Sequence, residues 1–168
     1  MLLAEHIRWV TMRAYLGLGS NVGNRSVWLR RGLDGLHSAG LQLGSVSSFY
    51  LTEPVGDREL PWFVNCAAEV HHPPAPRALL DAALQVEEAC GRRRSAAEVE
   101  ARTLDVDILL YDHRVVDESG LQIPHPRMHM RRFVLRPLAE LAADLLHPTC
   151  GVPISDLLSR LESAERVW

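Results

Sequence analysis

An α+β fold, in which two β-α-β units interleave into one antiparallel sheet with helices packed on it, is what this sequence predicts. Three observations carry that prediction. Short apolar runs of strand type recur near residues 14–18, 62–70 and 104–110. Two amphipathic stripes at helical spacing lie between them. Glycine or proline punctuates almost every junction.

Each element can be justified in order. Ala14-Tyr15-Leu16-Gly17-Leu18 reads as a first strand, ended by the turn-rich Gly19-Ser20-Asn21-Val22-Gly23-Asn24. A helix follows over about 26–38, with Leu29, Leu33 and Leu36 as its stripe and Gly40 as its stop. Residues 43–51 are rich in β-compatible types and form a second strand. Thr52 to Pro61 is a polar loop, and Trp62 to Val70 returns as the other arm of a hairpin. Pro73, Pro74 and Pro76 break the chain before a second helix over about 76–90. Its stripe is Leu79, Leu80, Ala83, Leu84, Val86 and Cys90, and Gly91 follows as a helix stop. A charged loop, 91–101, leads to a strand beginning Leu104-Asp105-Val106-Asp107. A small hairpin, the Pro124-His125-Pro126 segment, a helix from near Met130 and a short helix over about 153–163 complete the chain. The order β-α-β-β-α-β is that of the split βαβ, or ferredoxin-like, arrangement.

Length and composition set bounds. The 168 residues suit one domain with one core, over 12–168, after an N-terminal extension, 1–11. A formal net charge of -3 does not favour a general nucleic-acid-binding role. No apolar stretch is long enough to span a membrane. Cys66, Cys90 and Cys150 have neither zinc-ligand spacing nor a disulfide framework, which fits a reducing cytoplasm. The basic clusters Arg92-Arg93-Arg94 and Arg131-Arg132 stand out in an acidic chain, and an anionic ligand would account for them.

The chemistry centres on Asp105 and Asp107. Two apart on a strand, they share a face with Cα atoms roughly 7 Å apart, while Leu104, Val106, Ile108 and Leu110 line the other. With no basic residue between them they repel unless a cation joins them. Magnesium fits, because it accepts one or two carboxylates beside waters and phosphates. The solvated face of an edge strand is the plainer alternative. Arg92, Arg94, Arg102 and Arg131 could converge on a polyphosphate through their planar donor forks. Strict alternation puts Arg102 opposite Asp105, so Arg102 must lie before the regular strand or in a twist. Glu87, at the edge of the buried stripe near a helix C-terminus, opposes the helix dipole, which suggests either use elsewhere or an ordinary surface glutamate. Gly17-x-Gly19-x-x-x-Gly23 is too long for a dinucleotide fingerprint and reads as a tight turn. His125 and His129 are four apart, but the prolines flanking His125 keep the two off one helix face, so zinc is not expected. His125 remains a candidate donor to phosphate. Thr52, Val55, Phe63, Asn65 and Phe133 would suit a flat heteroaromatic ring.

Several motifs occur together and in order: Leu16-Gly17-Leu18-Gly19-Ser20-Asn21, Thr52-Glu53-Pro54-Val55-Gly56, Phe63-Val64-Asn65, Glu87 through Arg92, Arg102-Thr103-Leu104-Asp105-Val106-Asp107-Ile108, and Pro124-His125-Pro126-Arg127-Met128 through Arg131-Arg132-Phe133. With them the chain, over about Met12 to Pro148, resembles the 6-hydroxymethyl-7,8-dihydropterin pyrophosphokinases of folate biosynthesis. The resemblance implies a ferredoxin-like fold and transfer of the ATP diphosphate to the pterin hydroxymethyl oxygen, with AMP released. It implies that Asp105 and Asp107 hold two magnesium ions and that Arg92, Arg102, His125 and Arg131 contact phosphates. Glu87, Arg94 and the backbone at Ile108 would approach the nucleotide. Thr52, Val55, Phe63, Asn65 and Phe133 would surround the pterin. ATP and the pterin would be its partners, and a cytoplasmic monomer is expected. Three positions depart from the family pattern. Val99-Glu100-Ala101 replaces an aromatic lid segment, Ser95 a basic residue, and Met130 a glutamate or asparagine. The competing readings are a metal-dependent nucleotide-sugar transferase using Asp-x-Asp, which the short chain weakens, and a binding module without catalysis, which the retained aspartates and arginines weaken.

Overall fold

The structure, a computed structural model, describes residues 12–55, 59–92 and 102–168. The extension 1–11, Arg94, Ser95 and Val99-Glu100-Ala101 lie outside the described residues. The main sheet is built from β1 (Arg13–Ser20), β2 (Gln42–Val46), β3 (Tyr50–Thr52), β4 (Phe63–His71) and β5 (Asp105–Tyr111), in the order β2-β4-β1-β5 with β3 also paired to β4. All its pairings are antiparallel. A separate hairpin joins β6 (Val116–Glu118) and β7 (Leu121–Ile123). The helices are α1 (Arg25–Ser38), α2 (Pro76–Ala89), α3 (Arg132–Ala142) and α4 (Ile154–Arg160), with a 3-10 turn at Met128–Met130. The ferredoxin-like α+β prediction holds.

Period-2 alternation divides the sheet into two apolar faces. Ala14, Leu16 and Leu18 of β1, Val64, Cys66 and Ala68 of β4, and Leu104, Val106 and Ile108 pack with α1 and α2. Tyr15, Ala67, Leu109 and Leu110 pack with α3 and α4 on the other side. The sequence expectation put Leu110 with Leu104, and that is corrected here. Leu16 pairs with Ile108 but Tyr15 with Leu110, so Leu109 is an extra residue. Such a bulge turns the residues beyond it to the opposite face.

The predicted strand 43–51 is two short strands on the same neighbour. Val46 pairs with Ala68 and Tyr50 with Asn65, which leaves one surplus residue between them. At the break, Ser47 N–H donates to Ala67 O and Ser47 Oγ accepts from Ala67 N–H, both at 2.9 Å. In α1, Gly32 rather than Leu33 completes the buried stripe with Leu29 and Leu36. A methyl at Gly32 would stand 2.8 Å from Leu104 Cδ2, so the glycine makes room for β5 to seat against the helix.

That seating is testable. Helix propensity alone favours Gly32→Ala by about 1 kcal/mol, yet overpacking against fully buried Leu104 should make it destabilising by about 1–3 kcal/mol. Leu104→Ala alone should cost about 3 kcal/mol. Urea titrations of the double variant should show a smaller loss than the two single losses added. Simple additivity would mean that the two side chains do not compete for one space.

Candidate active site

Antiparallel pairing brings the end of β1, the end of β3 and the starts of β4 and β5 to one end of the sheet. On the face shared with α3, register sets Asp105 beside Gly19, and Gly19 beside Asn65. One pleat further in, Asp107 is paired with Gly17, and Gly17 with Ala67. The two glycines therefore leave a strip without side chains between the aspartates and the Asn65 amide. A Cβ at Gly19 would lie 2.5 Å from Asn65 Oδ1, and one at Gly17 3.3 Å from the Leu109 side chain. Over this strip opens a cleft of about 330 Å³. The tight-turn reading of these glycines is corrected. Both are strand residues, and in that turn only Gly23 has positive φ, at +56°.

The cleft gathers most of the predicted residues. Arg92, Arg102, Asp105, Asp107, His125 and Arg131 line it, and so do Thr52, Val55, Phe63, Asn65 and Phe133. On the ring-binding side, Asn65 Nδ2 donates to Thr52 Oγ1 at 2.6 Å. Phe63 and Phe133 line the same part of the cleft. Ile108 is not in this cleft. Its side chain is buried against α1 and α2, and it borders a second cleft with Leu80, Gly120, Gln122, His125 and Pro126. Val106 N–H is turned away from β1, toward Glu87. Alternation gives the Ile108 backbone the same outward direction, toward this second cleft.

Asp105 and Asp107 are not equivalent. Arg92 Nη1 donates to Asp105 Oδ1 and Arg102 Nη1 to Asp105 Oδ2, each at 2.5 Å. Against the desolvation of its burial, the two guanidinium groups hold the Asp105 carboxyl below the usual carboxylate range. Asp107 has no such pair among the described residues. Burial and the neighbouring Asp105 charge raise its pKa to about 6, with Arg131 pulling the other way. The repulsion expected from the sequence thus falls on Asp107 alone.

Glu87 is no surface glutamate. It is 2% exposed, accepts Val106 N–H at 2.7 Å, and pairs with Arg92. It stands behind the cleft wall, not in it, and fixes both the start of β5 and the guanidinium that holds Asp105. Burial pushes its carboxyl above the ordinary range, with Val106 N–H and Arg92 opposing. Arg102 lies ahead of β5, the first of the two placements that alternation allowed. Its backbone is clamped by Asn21, whose N–H donates to Arg102 O at 3.1 Å and whose Oδ1 accepts Arg102 N–H at 2.6 Å.

His125 N–H donates to Leu109 O at 3.0 Å, which ties the Pro-His-Pro segment to the edge of β5. His125 Nδ1 accepts Arg127 N–H at 3.2 Å, so the proton of the neutral ring sits on Nε2. That nitrogen is 4.0 Å from Asp107 Oδ2. Burial, then Arg131 and Arg127, lower the His125 pKa to about 4. The ring is a neutral Nε2–H donor near pH 7. His129 points elsewhere, edge-on to His147 with ring centroids 6.2 Å apart, in keeping with the rejection of a zinc pair.

Two contributors were missed from sequence. Arg127 lines the cleft, and neither it nor Arg131 engages a carboxylate in an ion pair among the described residues. The proline-flanked segment that turns His125 inward could have flagged it. Asn21 acts on the backbone of Arg102, with its own N–H and its side-chain Oδ1, and 81 residues of sequence separate the two.

A family model for 7,8-dihydro-6-hydroxymethylpterin-pyrophosphokinase (HPPK) matches residues 15–143. The chain belongs to the HPPK family. A Bacillus subtilis relative named 2-amino-4-hydroxy-6-hydroxymethyldihydropteridine pyrophosphokinase is 42% identical over 129 residues, covering 76% of this chain and 77% of the relative. A Methylorubrum extorquens relative of the same name is 37% identical over 158 residues, covering 92% and 98%. Among solved structures, wild-type Plasmodium falciparum HPPK-DHPS with pteroate superposes with a TM-score of 0.70 at 14% identity. The match covers 89% of this chain but only 42% of that longer one, and it speaks to the fold alone.

The His125 environment predicts a pH dependence. The folded pKa, about 4, lies below the ordinary histidine value of 6.5, so the unfolded chain binds more protons between these limits. Stability from this group is full above about pH 6.5 and is lost as pH falls toward 4. His125→Gln should flatten that part of the stability profile in denaturant titrations at pH 4.5 and 7. An unchanged slope would place the titration elsewhere.

Proposed function

We propose that this protein transfers the β,γ-diphosphate of ATP to the hydroxymethyl oxygen of 6-hydroxymethyl-7,8-dihydropterin, a step of folate biosynthesis. The observation that carries this reading is the glycine strip. It sets an aromatic slot with an amide and a hydroxyl on one side of an open floor and two aspartates with four arginines on the other. A flat ring held by Asn65, Thr52, Phe63, Phe133 and Val55 can extend its hydroxymethyl arm across Gly17 and Gly19 toward Asp107.

The donor set suits magnesium. Among the described residues no three His, Cys, Asp or Glu side chains form a metal cage. Two carboxylates that leave further positions to phosphate and water are what a magnesium–nucleotide complex takes. Asp107 and Asp105 would hold two such ions. When bound, they neutralise phosphate charge and align attacking and leaving oxygens.

The protein's own residues do the rest. Arg127 and Arg131 meet the polyphosphate from one wall, and Arg92 and Arg102 from the floor. His125 Nε2–H donates from the Pro-His-Pro segment. The backbone near Ile108 receives the nucleoside from the second cleft. The pterin oxygen then bonds to the β-phosphorus as the bond from that phosphorus to the oxygen bridging to the α-phosphate breaks; AMP departs with the bridging oxygen, and the hydroxyl proton passes to water. Positioning and charge neutralisation are the main requirements, and a loose transition state asks little of a general base.

Incubation with ATP, magnesium and the hydroxymethyl dihydropterin should yield AMP strictly dependent on the pterin. Its absence from folded protein would refute the assignment. Asp105→Asn and Asp107→Asn should each lower kcat on the order of a hundredfold or more, and near-normal turnover of either at saturating magnesium would exclude it as a ligand.

Asp107→Asn should also raise the Tm of magnesium-free protein by a few degrees at pH 7. The native carboxylate is costly to ionise, so the gain should be full above about pH 6, shrink as pH falls from 6 toward 3.8, and vanish below about pH 3, where the carboxyl is protonated in both states. Magnesium should raise the Tm of the parent and not of the variant. A lower Tm for the variant would show that Asp107 is stabilised, not strained.

A further inference from the structure

The two walls of the ring slot belong to different elements. One is Thr52–Val55, which follows edge strand β3. The other is Phe133 and Val134, at the start of α3. Residues 161–168 touch both, and they lie beyond the stretch matched by the family model.

At the first wall, this segment adds a strand to the outer side of β3. Leu51 N–H donates to Trp168 O and Trp168 N–H to Leu51 O, each at 3.0 Å. Glu53 N–H donates to Arg166 O at 3.0 Å. Arg166 then uses its side chain twice. Its Nε and Nη2 donate to the two carboxylate oxygens of Glu53, both at 3.2 Å, and its guanidinium lies 5.0 Å from the centroid of the Trp62 ring. Glu53 and Trp62 stand at the two ends of the chain segment that follows β3. At the second wall, Glu165 Oε2 accepts Arg132 N–H and Arg132 Nη2 donates to Leu161 O, both at 2.9 Å.

We propose that residues 161–168 form a strap that sets the width of the ring slot, with Arg166 as its positioning residue. The proposal rests on the ring-binding role given to that slot above. An exposed ion pair contributes little to stability. A two-point fork stacked on an indole, however, fixes direction as well as distance. Contacts to a part of the substrate remote from the reacting atoms, lost equally from ground and transition states, raise KM and leave kcat. The strap therefore acts on substrate affinity far more than on folding. On the ATP side of the cleft, β5 and the Pro-His-Pro segment take no part in these bonds; Arg131 feels the charge of Glu165, a contact that Arg166→Ala leaves in place.

The test uses the full chain, with Arg166→Ala, Arg166→Lys and the double variant Arg166→Ala/Trp168→Pro, which also removes the Trp168 N–H. Pterin is varied at saturating ATP, and ATP at saturating pterin. Arg166→Ala should raise the pterin KM about fivefold and the double variant about tenfold or more, with kcat and the ATP KM within about twofold of the parent. Arg166→Lys should fall between, since it keeps the charge and loses the fork. An inactive parent would overturn the functional reading and the strap with it. An active parent whose Ala variant keeps its pterin KM, or loses both affinities together, would overturn the strap alone. Should the double variant fail to fold, Arg166→Ala decides the matter.

Discussion

The carboxylate of Asp105 is divided between Arg92 and Arg102, and the rest of the site takes its geometry from that division. Arg92 is itself held by Glu87, which also accepts the Val106 N–H. Arg102 is held through its backbone by Asn21. The four groups tie α2, β5 and the end of β1 to one point. Buried ionic networks of this kind add little net stability over an apolar core, but removing one member strands the others. Their value lies in direction: Asp105 can face only one way.

That arrangement makes the two aspartates complementary. Asp105 is ionised and accepts one guanidinium donor on each oxygen, which leaves lone pairs for a cation. Asp107 bears the repulsion, and its side chain is 42% exposed to the cleft. A site that stores unfavourable charge at one carboxylate gains most when a cation arrives, and it gives up some stability while empty. The neutral His125 and the guanidinium groups of Arg127 and Arg131 surround the same point without neutralising it by direct pairing among the described residues.

Space for the reaction comes from what β1 lacks. Gly17 and Gly19 lie in the middle of the sheet, where side chains would ordinarily fill the layer under α3. Without Cβ atoms they open a floor between the charged and aromatic halves. The Asn65–Thr52 bond closes one end of that floor and the Asp105 network closes the other. The separation of the two halves of the cleft is therefore set by strand register, a rigid quantity, more than by loops.

Much of this was legible in the sequence, because it depends on local periodicity. The helices, the central strands and the shared face of Asp105 and Asp107 follow from spacings of 3.6 and 2. The slot residues Thr52, Val55, Phe63, Asn65 and Phe133, named from side-chain chemistry and a family resemblance, do meet in one cleft. Gly17 and Gly19, two apart, carried the signal of a bare strand face, but a turn competes for the same glycines and only the pairing of β1 with both neighbours settles it. Tertiary structure alone decided three further points. The bulge at Leu109 sends Leu110 to the other face, since a register slip depends on the partner strand. Glu87 is buried because β5, which is not local to its helix, supplies an N–H, while Arg92 just past the helix end supplies a charge. The unequal state of the two aspartates arises because charge acts through space, and sequence distance does not measure it.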